Sequence, residues 1–137
     1  MAGLPGAGKD TWVRKNGGNL PVVSLDDIRR EHKISPKGNQ GEVVRMAKEQ
    51  ARTYLRQKKD FIWNATNLTA QLRRTLINLF TDYKARVKIV YVEVDYKTLL
   101  ARNRTREHQV PVKVIERFID KLEIPQVHEA HEVVYVV

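Results

Sequence analysis

The stretch GLPGAGKDT, Gly3 to Thr11, stands almost at the start of this 137-residue chain. It meets the spacing G-x-x-x-x-G-K through Gly3, Gly8 and Lys9, and Gly6 adds a third glycine. Glycines let a loop wrap backbone N–H groups around a polyphosphate with little side-chain obstruction. A helix beginning at the loop's end would turn its positive N-terminus on the phosphates. Lys9 would reach the β- and γ-phosphates. The expected nucleotide contacts are therefore Gly3, Gly6, Ala7, Gly8, Lys9, Asp10 and Thr11.

The residue after the lysine is usually Ser or Thr, whose hydroxyl binds Mg²⁺. Here Asp10 holds that position and Thr11 follows. A carboxylate beside phosphates is repelled unless a cation lies between them. Either Asp10 holds Mg²⁺, directly or through water, or it points away as a first-turn acid that suits the helix dipole. In the second case Thr11 is free to hydrogen-bond a phosphate. A water-mediated metal role is the expectation. A buried central strand should deliver the chain into such a loop, yet only Met1 and Ala2 precede Gly3. The expectation is an N-terminally truncated piece of a longer protein; if nothing replaces the missing strand, the sheet has a gap at its centre and nucleotide affinity suffers.

Downstream, short apolar runs alternate with helical patterns. PVVSL at 21–25, FIWNA at 61–65, VKIVYVEV at 87–94 and EVVYVV at 132–137 read as strands. Their near-continuous apolar character suits a parallel sheet covered on both faces. Val44, Ala47, Ala51 and Leu55 form one apolar helical stripe. Leu72, Leu76 and Phe80 form a second, and Ile115, Phe118, Ile119 and Leu122 a third. Thr69 and Asp95 sit where helix N-caps belong, and Pro111 suits the first turn of the last helix. No repeat or internal boundary interrupts the pattern, so the expectation is one three-layer α/β domain over residues 1–137.

Composition narrows the partners. Lys and Arg total 25 against 16 acids, a formal charge of +9. That balance favours polyanions, nucleic acid first. The chain has no cysteine, which excludes disulfides and thiolate metal sites and fits a cytoplasmic location. No apolar run nears the roughly 18 residues that span a bilayer, and nothing at the start reads as a signal peptide.

Three further segments carry candidate chemistry. In SLDDIRRE, Asp26 and Arg29 are three apart and share one face of a starting helix, just past a strand. Ligands bind at the carboxyl ends of parallel strands. There Asp26 could take the proton of an attacking hydroxyl, and Arg29 could hold a neighbouring phosphate. The alternative is that Asp26 caps the helix while Arg29 pairs with Glu31 or solvent. In WNATN, Asn64 stands where an acid for Mg²⁺ is common, and Thr66 and Asn67 read as turn or cap residues. In ARNRTRE, Arg102 and Arg106 share a face and either stabilise a transferring group or form a solvated basic surface. His108, His128 and His131 read as surface residues, and Trp12 and Trp63 as packing.

Taken in order, GLPGAGKDT, SLDDIRRE, WNATN, ARNRTR and the tail VPVKVIERFIDKLEIPQVHEAHEVVYV resemble the polynucleotide 5′-hydroxyl kinase family of P-loop phosphotransferases. The resemblance covers almost the whole chain. It implies a P-loop fold with a mostly parallel central sheet flanked by helices. It implies ATP or GTP as phosphoryl donor, Mg²⁺ as cofactor and a 5′-OH end of RNA or DNA as acceptor. By resemblance, Lys9 and the loop amides hold the phosphates, Asp26 is the general base, and Arg29 contacts the phosphate beside the acceptor. Arg106, or Arg102 in its place, is the lid arginine that grips the phosphates. Such kinases often sit beside an end-healing domain, so a fused upstream domain is a further implication. Asp10, Asn64 and the short first strand depart from the family's pattern. Two rival readings remain: a kinase of a small nucleotide or metabolite, and a nucleotide-binding module without turnover.

Overall fold

A computed structural model describes residues 1–106 and 109–137. Its elements run α1 (Lys9–Asn16), β1 (Val22–Ser24), α2 (Leu25–Glu31), α3 (Gln40–Arg56) and β2 (Ile62–Asn64). They continue with α4 (Ala70–Asp82), β3 (Lys88–Val92), α5 (Tyr96–Arg104), α6 (Val112–Lys121) and β4 (Glu132–Val136). All strand pairings are parallel: β1 with β2, and β3 with β4. The strands are shorter than their apolar runs by one to three residues: Leu25, for example, already begins α2.

Residues 1–3 lie between the two strand pairs. Ala2 pairs in parallel with Tyr91, donating to Val90 O at 2.8 Å and accepting from Val92 N at 3.0 Å. On the other side Met1 N donates to Trp63 O at 2.9 Å, and Gly3 N donates to Thr66 O at 2.9 Å. The expected central gap is thus occupied by a ladder a single bridge long.

Strand periodicity sorts the core. Val90 and Val92 pack with Leu4, Ala7, Leu68, Leu99 and Ile115, beneath α5 and α6. Ile89 and Tyr91 face the opposite way, against Ala2 and Ile77 of α4. A third cluster joins Val23, Ile28, Val43, Ala47, Ala51, Leu55, Trp63 and Phe80. Each large aliphatic side chain so buried contributes about 1.5–3 kcal/mol. Phe61 meets Phe80 edge to face at 5.5 Å, a favourable quadrupole arrangement. Trp63 belongs to this cluster and Trp12 packs on the one beneath α5, so both tryptophans are packing residues.

Thr69 and Asp95 cap α4 and α5 as expected, accepting from Leu72 N and Thr98 N. Pro111 is the N-cap of α6, one position before its first turn. Two helix faces differ from the expected stripes. On α3 the buried row is Val43, Ala47, Ala51 and Leu55, an unbroken four-residue step, with Val44 at its margin. On α4 Leu72 is 56% exposed, whereas its neighbour Arg73 is 3% exposed. Arg73 can lie inside because its guanidinium is matched by a carboxylate. Nε donates to Glu129 at 2.7 Å, Nη2 to Glu129 at 3.2 Å and Nη1 to Asn67 O at 2.8 Å. That network locks α4, the turn after β2 and the C-terminal tail together. Among the described residues no helix is long and apolar enough to cross a membrane.

Candidate phosphate-binding and acceptor site

The loop from Gly3 to Gly8 closes tightly at the end of the central ladder. Gly3 has φ 145° and runs so close to β3 that a Cβ would stand 2.6 Å from Val92 O. No other residue fits there. Gly8, at φ 110°, is the N-cap of α1 and carries no side chain to occupy the helix's free N–H groups. Those donors are left for an anion.

Lys9 lies back along the loop, its Nζ donating to Gly3 O at 2.9 Å and Leu4 O at 2.8 Å. Burial pushes its pKa down to about 8, with Asp10 and Asp26 pulling it back up. Both acids are therefore close enough to be felt by the ammonium. Binding a polyphosphate favours the charged lysine. ATP affinity is therefore expected to be level below pH 8 and to fall as pH rises through about 8. Titration calorimetry between pH 6.5 and 9.5 measures this, and a Lys9→Met chain should show weak binding without that slope.

At the end of β1, Ser24 accepts from Asp27 N and so caps α2. Asp26 is thereby free of capping duty. Its carboxylate, 77% exposed, accepts from Arg29 Nη1 at 2.6 Å. Arg29 Nε donates to Gln40 Oε1 at 2.8 Å. Gln40 Nε2 in turn donates to Ser35 O at 2.8 Å and Gly38 O at 3.2 Å. Of the sequence alternatives, helix capping by Asp26 and pairing of Arg29 with Glu31 are both set aside.

Asp10 points to the end of β2, where its Oδ1 accepts from Asn64 Nδ2 at 2.6 Å. Asn64 is 9% exposed, and its own Oδ1 is buried with no donor. Thr11 is exposed and accepts from Arg14 at 3.2 Å, on the outer side of α1. Asn67 holds φ 46° and donates to Met1 O at 2.6 Å, a turn residue as expected.

Both candidate lid arginines reach the loop. Arg102 Nη1 donates to Gly6 O at 3.1 Å and Ala7 O at 3.2 Å. Arg106 lines a cavity of about 20 Å³ with Leu4, Pro5, Gly6, Leu99 and Phe118. Asn103, 8% exposed, fixes the base of this segment: it donates to Val110 O at 2.6 Å and accepts from Val110 N at 2.9 Å. His108, read as a surface residue from sequence, lies outside the described residues together with Glu107. His128 and His131 are exposed, His131 accepting from Val87 N.

The residues present fit a nucleotide and its Mg²⁺. The loop offers backbone donors and a lysine. Asp10 offers an exposed carboxylate, bonded by Asn64 Nδ2 and open to a cation or its water ligands. No cluster of three or more His, Cys, Asp or Glu occurs among the described residues. Mg²⁺ does not need one, because it keeps waters and takes phosphate oxygens.

Parallel strands flanked by helices, with a glycine-rich loop entering α1, define a P-loop kinase fold. The chain belongs to the AAA domain family AAA_33, whose model matches residues 1–125. A solved unliganded sugar kinase from Janibacter sp. HTCC2649 shares the fold, with a TM-score of 0.65 at 16% identity. The match covers 98% of this chain and 82% of that one. Kinases of this type generally use ATP and Mg²⁺.

Proposed function

We propose that the chain transfers the γ-phosphoryl group of ATP or GTP to the 5′-hydroxyl end of RNA or DNA. The observation that carries this reading is the Asp26–Arg29 pair, set at the carboxyl end of β1 with Asp26 within charge reach of Lys9. An acid so placed, with its side chain 77% exposed, is open to an incoming acceptor. Asp26 takes the hydroxyl proton as the acceptor oxygen attacks the γ-phosphorus and the bond to the bridging oxygen breaks, releasing the nucleoside diphosphate. Arg29 holds the phosphate next to the acceptor sugar by a forked contact. Lys9 and the loop amides hold the donor's phosphates, with Arg102 or Arg106 closing over them. Asp10 and the donor's phosphates would hold Mg²⁺, which would supply neutralisation of the charge that develops in transfer. Catalysis of this type is mostly positioning and charge neutralisation.

The formal charge of +9 supports a polyanionic acceptor over a neutral metabolite. A cytoplasmic setting accords with the absence of cysteine. The test is end-labelling. The chain is given γ-labelled ATP or GTP with Mg²⁺ and offered 5′-OH RNA, 5′-OH DNA, and a panel of sugars and nucleosides. Label on an oligonucleotide end is expected. Label on a small hydroxyl compound alone, or tight ATP binding with no transfer to any acceptor, overturns the reading.

A further inference from the structure

We propose that this chain exchanges the two partners of its metal site: the carboxylate that holds a hydrated Mg²⁺ sits on α1, as Asp10, and the strand-end residue, Asn64, orients it. The inference rests on the loop's being a nucleotide site, as argued above. In the usual arrangement the residue after the lysine is a hydroxyl that binds Mg²⁺. Here that residue is an acid, and a neutral amide lies 2.6 Å from it. The geometry fixes which way the amide faces. A carboxylate only accepts, so Asn64 must present Nδ2 to Asp10 and turn Oδ1 aside. That oxygen is buried without a donor. It shares its carbon with the nitrogen already bonded to Asp10, so Asn64 meets the site through Nδ2 alone.

The pair keeps one negative charge and one hydrogen bond between helix and strand. Asp10 is exposed, so its carboxylate remains open to a cation, whereas Asn64 is 9% exposed and acts from behind. This is how an outer residue aligns a metal-binding carboxylate. It also explains how Asp10 can stand beside a triphosphate without repelling it. Asn64 is a positioning residue in this scheme and Asp10 the group that meets the hydrated ion.

The test reads metal binding rather than turnover. Mn²⁺ is titrated by electron paramagnetic resonance into the chain with a non-hydrolysable ATP analogue. Asp10→Ser and its isosteric control Asp10→Asn are each expected to weaken Mn²⁺ by about 10- to 100-fold, and Asn64→Ala to weaken it by a similar factor. The exchanged double variant, Asp10→Ser with Asn64→Asp, should recover most of that loss. Thermal melts by circular dichroism confirm that each variant is folded. The inference fails if Asp10→Asn binds Mn²⁺ as the unaltered chain does, or if the double variant is no better than Asp10→Ser. Binding of the ATP analogue without metal, and its loss in Lys9→Met, is followed in parallel. If that persists while the Asp10 variants are silent, the exchange is wrong and the nucleotide site stands. If the unaltered chain binds no analogue at all, both fall.

Discussion

Replacing Asp26 with asparagine is expected to lower phosphoryl transfer by about 10²- to 10⁴-fold, the span typical of a lost general base. ATP affinity should change little, because Asp26 touches no loop amide. Asparagine keeps an oxygen that can accept from Arg29 Nη1, so the 2.6 Å pair retains its geometry and loses its charge. The substitution therefore separates proton acceptance from positioning. Single-turnover kinetics with a 5′-OH oligonucleotide measures the chemical step, and calorimetry with ATP measures binding. The expected signature is a lower kcat at nearly unaltered ATP affinity. A variant that transfers phosphate at the original rate would remove Asp26 from the reaction. Asp26→Ala should be at least as damaging, since it also frees Arg29 from one of its two partners.

The second large effect is on stability. Arg73→Met leaves Glu129, with its side chain 14% exposed, facing an apolar replacement. Breaking a buried pair by removing one partner costs about 3–5 kcal/mol, against a typical total of about 5–15 kcal/mol. A fall in Tm of more than 10 °C is the expected result, on the order of 3–5 °C per kcal/mol for a domain of this size. The double variant Arg73→Met with Glu129→Met should be much less damaged, because no charge is left stranded. Burial tends to raise the Glu129 carboxyl, but hydrogen bonds from Arg73 and from Gln126 N outweigh it and hold its pKa below the usual carboxylate value. A carboxylate whose pKa is lower folded than unfolded adds stability above its unfolded pKa. That contribution is lost as pH falls through the folded value. Acid melts should therefore show the native chain losing stability more steeply below pH 4.5 than the double variant does.

What the sequence made legible was local. The loop's glycines and lysine, the caps at Thr69 and Asp95, and the three-residue step from Asp26 to Arg29 all depend on neighbours along the chain. Each reappears in the structure. The α6 stripe through Ile115 holds for the same reason. What stayed hidden depends on distant partners. Periodicity put Leu72 inside, yet Arg73 takes the interior because Glu129, 56 positions away, receives it. Gln40 gave no signal of its own, being an ordinary polar residue beside the helix cap Asn39, but it is what steadies Arg29. Asn103 is similar: its pair of bonds to Val110 depends on how the chain returns after α5. The relation of Arg102 to the loop carbonyls spans 95 and 96 positions, and no spacing rule reaches that far. Asn64 was marked as a departure from an expected acid. Its hydrogen bond to Asp10 turns two separate oddities into one arrangement.

The short ladder of residues 1–3 has a mechanical meaning. Those residues are stitched to β3 on one side and to Trp63 and Thr66 on the other, so they form a seam between two halves of the sheet. The phosphate loop starts from that seam at Gly3. Parting of the halves and collapse of the anion pocket are thus one event, and a triphosphate in the loop acts as a rivet across the joint. Amide exchange at Ala2 and Val92 should slow in step with nucleotide occupancy, reporting how often the molecule unbuttons along its middle.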